Sequence, residues 1–336
     1  MCPLFVPLLM RLSGPASTVR GAARIVTRTS STSTSRVMAG LAARRGTTSP
    51  LARIGRFVPS GRPISVEGMR LLVVDAFTER PFGGNPAGVC LLDAPADPAW
   101  MQRVAAELRH SETAFVRPLA DPDADFELRW FTPLVEVNLC GHATLASAHA
   151  LFSTGAASDG PLRFRTLHSG VLTVAPSPDG ALEMDFPAAP PERTPEPDGL
   201  SAALGTAVVW TGRSAVGDVL AEVADAEAVR SLAPDAGALE KIDARGVIVT
   251  AAAEPGADHD FVSRFFGARG LGDGEDPVTG SAHCALSPFW SARLGRADLT
   301  GYQASERGGY VRTGLRGDRV VLTGRAVTVL DGTLLV

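Results

Sequence analysis

Lysine is nearly missing from this 336-residue chain: Lys241 stands alone. Its neighbours do not suggest a Schiff-base lysine, and it reads as a surface residue. Cysteine is scarce too. Cys2, Cys90, Cys140 and Cys284 form no CxxC pair, which argues against a disulfide framework or a cysteine zinc site and fits a reducing compartment. The six histidines show no HExxH or similar spacing, so no metal is expected. There is no GxSxG nucleophile elbow. The run Gly270-Leu271-Gly272-Asp273-Gly274 is neither GxGxxG nor a P-loop, so nucleotide binding finds no support. No apolar run is long enough to span a bilayer. The one at residues 4–10 is short and has no basic residue before it, so no membrane contact is expected.

Acidic residues are absent from one region only. Residues 1–66 hold ten Arg, many Ser and Thr, and no Asp or Glu. That is the composition of an organelle transit peptide; the alternative is an upstream extension, with Met69 the true start. An intracellular protein is expected on either reading, mitochondrial or plastid with a transit peptide and cytoplasmic without one. The remaining 270 residues carry 22 basic and 36 acidic side chains. Such an acidic body argues against nucleic acid, which needs a basic face. The chain is 45% hydrophobic and 20% charged, ordinary for a soluble globular protein with material for two cores.

What the chain does contain is an internal repeat. Cys140-Gly141-His142-Ala143-Thr144-Leu145-Ala146 and Thr279-Gly280-Ser281-Ala282-His283-Cys284-Ala285 lie 139 residues apart. Each begins with a small polar residue and a glycine and runs into a helix of small residues. Acidic residues stand just upstream: Glu136 before the first, Glu275 and Asp276 before the second. Two related halves can set two helix N-termini across a cleft. Their unpaired N–H groups and partial positive charge suit a small carboxylate.

Strand and helix signals support two halves, 69–186 and 200–336. Strands are expected at 70–77, 87–92, 113–116, 126–131, 162–166, 171–175 and 182–186, with a turn at 81–86. Asp97-Pro98 starts a helix to about Arg109, with Trp100, Val104 and Leu108 on one face. Residues 187–199 hold five prolines, which cannot extend a helix or a central strand, and read as a linker. Strands at 207–211, 217–223, 246–250 and 261–266 follow, and short strands run from Tyr302 to the end. The repeat helices are expected over about 141–155 and 280–294. The fold class is α+β: two pseudo-symmetric domains, each a mainly antiparallel, barrel-like sheet around a central Ala-rich helix.

Several side chains can carry chemistry, each with a plainer reading beside it. Glu112 lies between a helix and a strand, where it can move protons or be a solvated loop carboxylate. His142 can bind an anion or relay protons, or cap its helix as a neutral imidazole. Asp276 can orient a substrate amine or hydroxyl, or only favour the helix dipole. Ser281 can donate to a carboxylate or cap. Cys140 can be a thiolate base beside a helix end or an inert small apolar residue. Thr279 at the matching place rules out a symmetric two-thiol mechanism.

Taken together these motifs resemble the phenazine biosynthesis-like (PhzF-like) family, and within it the eukaryotic phenazine biosynthesis-like domain proteins. The pieces are Asp75-Ala76-Phe77-Thr78, Gly84-Asn85-Pro86-Ala87, Ser111-Glu112-Thr113-Ala114-Phe115, Arg129-Trp130-Phe131-Thr132-Pro133, Cys140-Gly141-His142-Ala143-Thr144, the run from Glu275 to Ala282, and Arg307-Gly308-Gly309. The resemblance runs from Met69 to the C-terminus. It implies a diaminopimelate epimerase-like fold and a cofactor-free isomerase, often dimeric, working on a small carboxylate. It places the acid/base glutamate at Glu112, its partners at His142 and Asp276, and the substrate carboxylate at Gly280 and Ser281; the repeat itself adds Gly141, at the facing helix tip, to the expected substrate-binding residues. Cys140 departs from the pattern, since phenazine enzymes carry a different small residue there. The rival expectation is a non-catalytic small-molecule or protein-binding member of the same fold.

Overall fold

A computed structural model describes residues 68–267 and 274–335. The candidate transit peptide at 1–66 and residues 270–273 of the glycine-rich run lie outside the described residues. The first series of elements is β1 (Met69–Ala76), β2 (Asn85–Leu91), α1 (Pro98–Leu108), β3 (Glu112–Asp121), β4 (Ala124–Phe131), β5 (Glu136–Val137), α2 (Gly141–Ser153), β6 (Leu162–Arg165), β7 (Val171–Pro176) and β8 (Leu182–Pro187). The second begins with β9 (Glu192–Arg193), α3 (Leu200–Leu204), β10 (Val208–Arg213), β11 (Val219–Val223), α4 (Ala226–Arg230), α5 (Ala236–Leu239) and β12 (Gly246–Ala252). It closes with β13 (Phe261–Gly267), β14 (Glu275–Asp276), α6 (Gly280–Leu294), β15 (Asp298–Gln303), β16 (Gly309–Arg316), β17 (Arg319–Gly324) and β18 (Ala326–Leu334).

The two series pair in the same order. In the first, β1–β2 is antiparallel, β2–β3 parallel, β3–β4 antiparallel and β4–β6 parallel, and β7 and β8 follow antiparallel. In the second, β10 to β13 repeat that alternation, β13–β15 is parallel, and β16 and β17 follow antiparallel. An antiparallel ladder between β8 and β17 joins them. The chain also crosses between halves. The proline-rich stretch supplies β9 to β10, and the C-terminal β18 returns to pair with β1 along its length.

Each sheet wraps its own Ala-rich helix. Ala143, Leu145, Ala146, Ala148 and Ala150 of α2 are fully buried in the first core, which Val311, Val320 and Leu322 of the second series help to build. Small side chains let the strands come close to the helix axis. The polar ones among them bond back to their own helix, Thr144 Oγ1 to the Cys140 carbonyl at 2.6 Å and Ser147 Oγ to the Ala143 carbonyl at 2.7 Å, so their burial costs little. Around α6, Ala282, Ala285, Leu286, Phe289 and Trp290 pack with Phe261, and the Trp290 indole donates to Thr250 Oγ1 at 3.0 Å. Pro288 lies inside α6 and cannot donate to the Cys284 carbonyl. The Ala189 amide, from the proline-rich stretch, donates to that carbonyl instead, at 3.0 Å.

The longer expected elements fall where the patterns placed them. The short helices α3, α4 and α5 do not show in those patterns, because four or five residues are too few for a 3.6-residue period. Local caps make α4 and α5: Asp225 and Asp235 accept from the Ala228 and Ala238 amides at 2.8 and 3.0 Å. In α1 the buried face is Met101, Val104 and Ala105, with Trp100 and Leu108 at its margin. Among the described residues no helix is long and apolar enough to cross a membrane.

Candidate active site

The N-termini of α2 and α6 meet. A methyl group built on Gly141 would lie 3.6 Å from the Gly280 Cα, and one built on Gly280 would lie 3.6 Å from the Gly141 Cα. Neither helix has a side-chain cap, so the first-turn N–H groups lack the side-chain acceptor that usually satisfies them. The cap positions are held by Cys140 and Thr279, and His142 and Ser281 stand as the second residues of their helices.

Glu112 is brought to this junction by local and long-range structure. Helix α1 ends at Arg109 in the left-handed region (φ 56°), which turns the chain sharply. Pairing of Glu112 with Ala87 then fixes it as the first residue of β3. Glu112 is 9% exposed, and its Oε2 lies 3.4 Å from His142 Nε2. Burial, and then the charge of Asp276, push its carboxyl up to about 8, against a weaker opposing contact from Cys140.

Asn85 ties the two halves together at the site. It opens β2 and is fully buried. Its side-chain nitrogen donates to Asp276 Oδ1 at 2.7 Å and to the Val278 carbonyl at 2.9 Å, and lies 3.2 Å from His142 Nδ1. The reverse orientation would set its oxygen against a carboxylate and a carbonyl, so the amide is fixed. His142 Nδ1 also faces Cys140 Sγ at 3.5 Å. Both hydrogens of the Asn85 amide go to Asp276 and the Val278 carbonyl, which leaves the Cys140 thiol as the donor for Nδ1; with that bond made, the ring proton sits on Nε2, toward Glu112. Burial, and then the charge of His110, lower His142 to about 3, which makes it a neutral imidazole.

Asp276 is held from several sides. Thr279 Oγ1 donates to its Oδ2 at 2.5 Å, and Gln303 donates to its main-chain carbonyl at 2.7 Å. Gln303 also accepts from the Thr279 amide at 2.9 Å. Burial raises the Asp276 carboxyl to about 6, opposed by the bonds from Thr279 and Asn85. The other upstream acids do not reach the site. Glu136 and Glu275 form matching two-pronged bridges with Arg129 and Arg264, all at 2.7 Å.

Glu112, His142, Asp276, Gly141 and Gly280 thus converge. Ser281 lies on the first turn of α6, where its Oγ accepts from Arg245 Nη2 at 2.8 Å. The thiolate reading of Cys140 is corrected. Burial, and then the charge of Glu112, raise its thiol well above the ordinary 9.0, so it stays protonated, and the helix end does not offset its desolvation. Glu112, Cys140 and His142 are the one trio among the described residues whose ligand-type atoms all lie within 4.8 Å. A metal there would have to displace the Cys140 proton.

Ladder registers expose an asymmetry. Phe131 pairs with Glu136 and with Thr113; Phe266 pairs with Glu275 and with Val247. Glu112 therefore corresponds to Gly246, and Asp276 to Val137. A Cβ on Gly246 would lie 2.2 Å from the Phe265 ring, so the second half has no room for a matching carboxylate. The reading of the sequence did not single out Asn85, Gln303, Arg245 or Asp218 for a role. Only Asn85 carried a signal, as part of the run Gly84 to Ala87.

Fold and site define a class: a duplicated α+β protein whose paired helix tips lie beside a buried glutamate with a raised carboxyl. The phenazine biosynthesis-like protein family model matches residues 74–332, and the chain belongs to this family. It is 46% identical over 268 residues to an uncharacterised isomerase of Halalkalibacterium halodurans, covering 79% of this chain and 98% of that protein. It is 40% identical over 286 residues to the human phenazine biosynthesis-like domain-containing protein, covering 79% and 98%. A PhzF family crystal structure from Enterococcus faecalis superposes with a TM-score of 0.74 at 39% identity, covering 80% of this chain and all of that one.

Proposed function

We propose that the protein is a cofactor-independent isomerase that moves a proton between carbons of a small cyclic or amino- or hydroxy-substituted carboxylic acid. The observation that carries this reading is Glu112, buried, raised to about 8 and facing the imidazole of His142 beside two uncapped helix tips. The names of the bacterial relatives as isomerases support it.

The substrate carboxylate sits at the first turns of α2 and α6, where Gly141, Gly280 and Ser281 present backbone N–H groups and a hydroxyl. The ionised form of Glu112, the minor one at neutral pH with its carboxyl raised to about 8, takes a proton from one carbon, and the electron pair of that C–H bond joins the neighbouring π-system. The same carboxyl, now protonated, returns the proton to a different carbon. Neutral His142 donates from Nε2 to the charge that develops, and Asp276 holds the substrate amine or hydroxyl. Proton transfer of this kind contributes roughly 10²–10⁴-fold, and water exclusion adds to it.

The test is deuterium wash-in from D₂O into amino- and hydroxy-cyclohexadiene carboxylic acids. The wild type should exchange, and Glu112→Gln should lose at least about 10²-fold while remaining folded. Full exchange by Glu112→Gln would remove the assignment. Tight protein partners with no exchange on any acid would favour a binding role.

A further inference from the structure

Arg245 stands at the edge of the site with its charge held in place. Its Nε and Nη2 donate to Asp218 Oδ1 and Oδ2 at 2.8 and 2.5 Å, and Asp218 is fully buried. A second Nη2 bond at 2.8 Å goes to Ser281 Oγ. The side chain is 42% exposed, and its Nη1 has no hydrogen-bonding partner among the described residues. Its ring-face contact with Phe265, 5.5 Å to the centroid, steadies the guanidinium plane. Arg245 is also close enough for its charge to act on Asp276, whose carboxyl it favours in the ionised form.

Position in the fold gives this cation a meaning. Arg245 precedes Gly246 as Ser111 precedes Glu112, and the ladder registers make the two pairs equivalent. The first half places its proton-carrying carboxyl at this point of the fold; the second places a glycine and a fixed cation. Because Ser281 Oγ accepts from Arg245, its own proton is turned away from the arginine, free to donate to an anion at the helix tip. An anion bound by Ser281 and the α6 amides would thus have a guanidinium edge beside it. A single carboxylate needs only the tips; a permanent cation on a buried carboxylate base is surplus to that need and matches a second negative group.

We propose that Arg245, through its open Nη1 edge, binds a second anionic group of the substrate, so that the site selects dicarboxylates over monocarboxylates. This rests on the reading above, in which the first carboxylate occupies the helix tips.

Binding of benzoate and of the three benzene dicarboxylates, by calorimetry at constant ionic strength, separates the two ideas. The wild-type protein should bind at least one dicarboxylate isomer 10-fold or more tightly than benzoate. Arg245→Gln alone would strand the buried Asp218 charge, so the variant used is the double substitution Arg245→Gln with Asp218→Asn, which should lose that preference. Arg245→Lys should keep part of it, retaining charge but not the two-pronged geometry. Glu112→Gln should keep all of it. The proposal is overturned if no dicarboxylate outbinds benzoate, if neither class binds, or if the double variant keeps the preference. Failure of the isomerase reading looks different: deuterium exchange would not depend on Glu112, while the Arg245-dependent preference stayed intact.

Discussion

Replacing Glu112 by Gln tests the buried carboxyl without any substrate. In the unfolded chain this group ionises near its ordinary 4.5, and in the folded protein near about 8. At about 1.4 kcal/mol for each tenfold change in proton affinity, that difference is worth on the order of 4–5 kcal/mol. The folded state holds the proton more tightly, so between these limits the unfolded chain binds fewer protons and stability falls as pH rises. The loss begins near pH 4.5 and is complete near pH 8. His142, lowered to about 3 from 6.5, works the other way, its contribution rising with pH between those values. It is present in both proteins and cancels in the comparison. Glutamine keeps the shape and an acceptor for His142 Nε2 but does not titrate. The stability of Glu112→Gln relative to wild type should therefore grow by on the order of 3–4 kcal/mol between pH 5 and pH 9. At about 2–4 °C per kcal/mol for a chain of this size, the gap in Tm should widen by on the order of 10 °C. Paired thermal and urea unfolding at pH 5, 7 and 9 measures it. A pH-independent offset from altered packing would not matter, since the widening is what is read. A gap that stayed flat or narrowed with pH would refute the claim that Glu112 is buried and proton-loaded.

Two further outcomes follow from the same geometry. Asn85→Asp sets a second carboxylate against Asp276 and the Val278 carbonyl, and should cost on the order of 2–4 kcal/mol in urea unfolding at pH 8, with much of it recovered at pH 5; an unchanged midpoint at pH 8 would mean that the amide does not hold the two halves together. Cys140→Ala removes a protonated thiol and no base, so deuterium exchange should stay within about 10-fold of wild type. A loss as large as that of Glu112→Gln would make the thiol part of the proton path.

Periodicity and spacing gave the scaffold directly. The matched glycines at 141 and 280 marked two helix starts, and the structure sets them against each other. Alternation, however, reports that a strand exists and which face is apolar, not which strand lies beside it. For that reason the return of Ala326–Leu334 to β1 was not legible, nor was the proline-rich stretch as donor of both β9 and the amide that satisfies the carbonyl orphaned by Pro288. The same limit applies to the site. Composition alone makes a loop glutamate a solvated one; Glu112 is buried because β3 pairs in parallel with β2, a contact across a whole helix. Asn85 looked like part of a turn, and Gln303 like any residue of an alternating strand. Their roles arise only where strands from both halves meet.

The duplication also explains what the site can do. A symmetric pair of halves would offer two equivalent proton carriers on opposite sides of a bound acid, an arrangement suited to inverting a carbon centre. Here the second position is taken by the Phe265 ring, which leaves no room for any side chain at residue 246, and the matching thiol position holds a threonine whose hydroxyl is committed to Asp276. On the proposed isomerase reading, Glu112 would serve both to remove and to return the proton, and a carrier fixed on one side would deliver it to the face from which it came. That favours migration of a proton along one face of a conjugated acid over inversion at a single carbon. It also gives the emptied half of the repeat a separate use, as the seat of the fixed cation of Arg245.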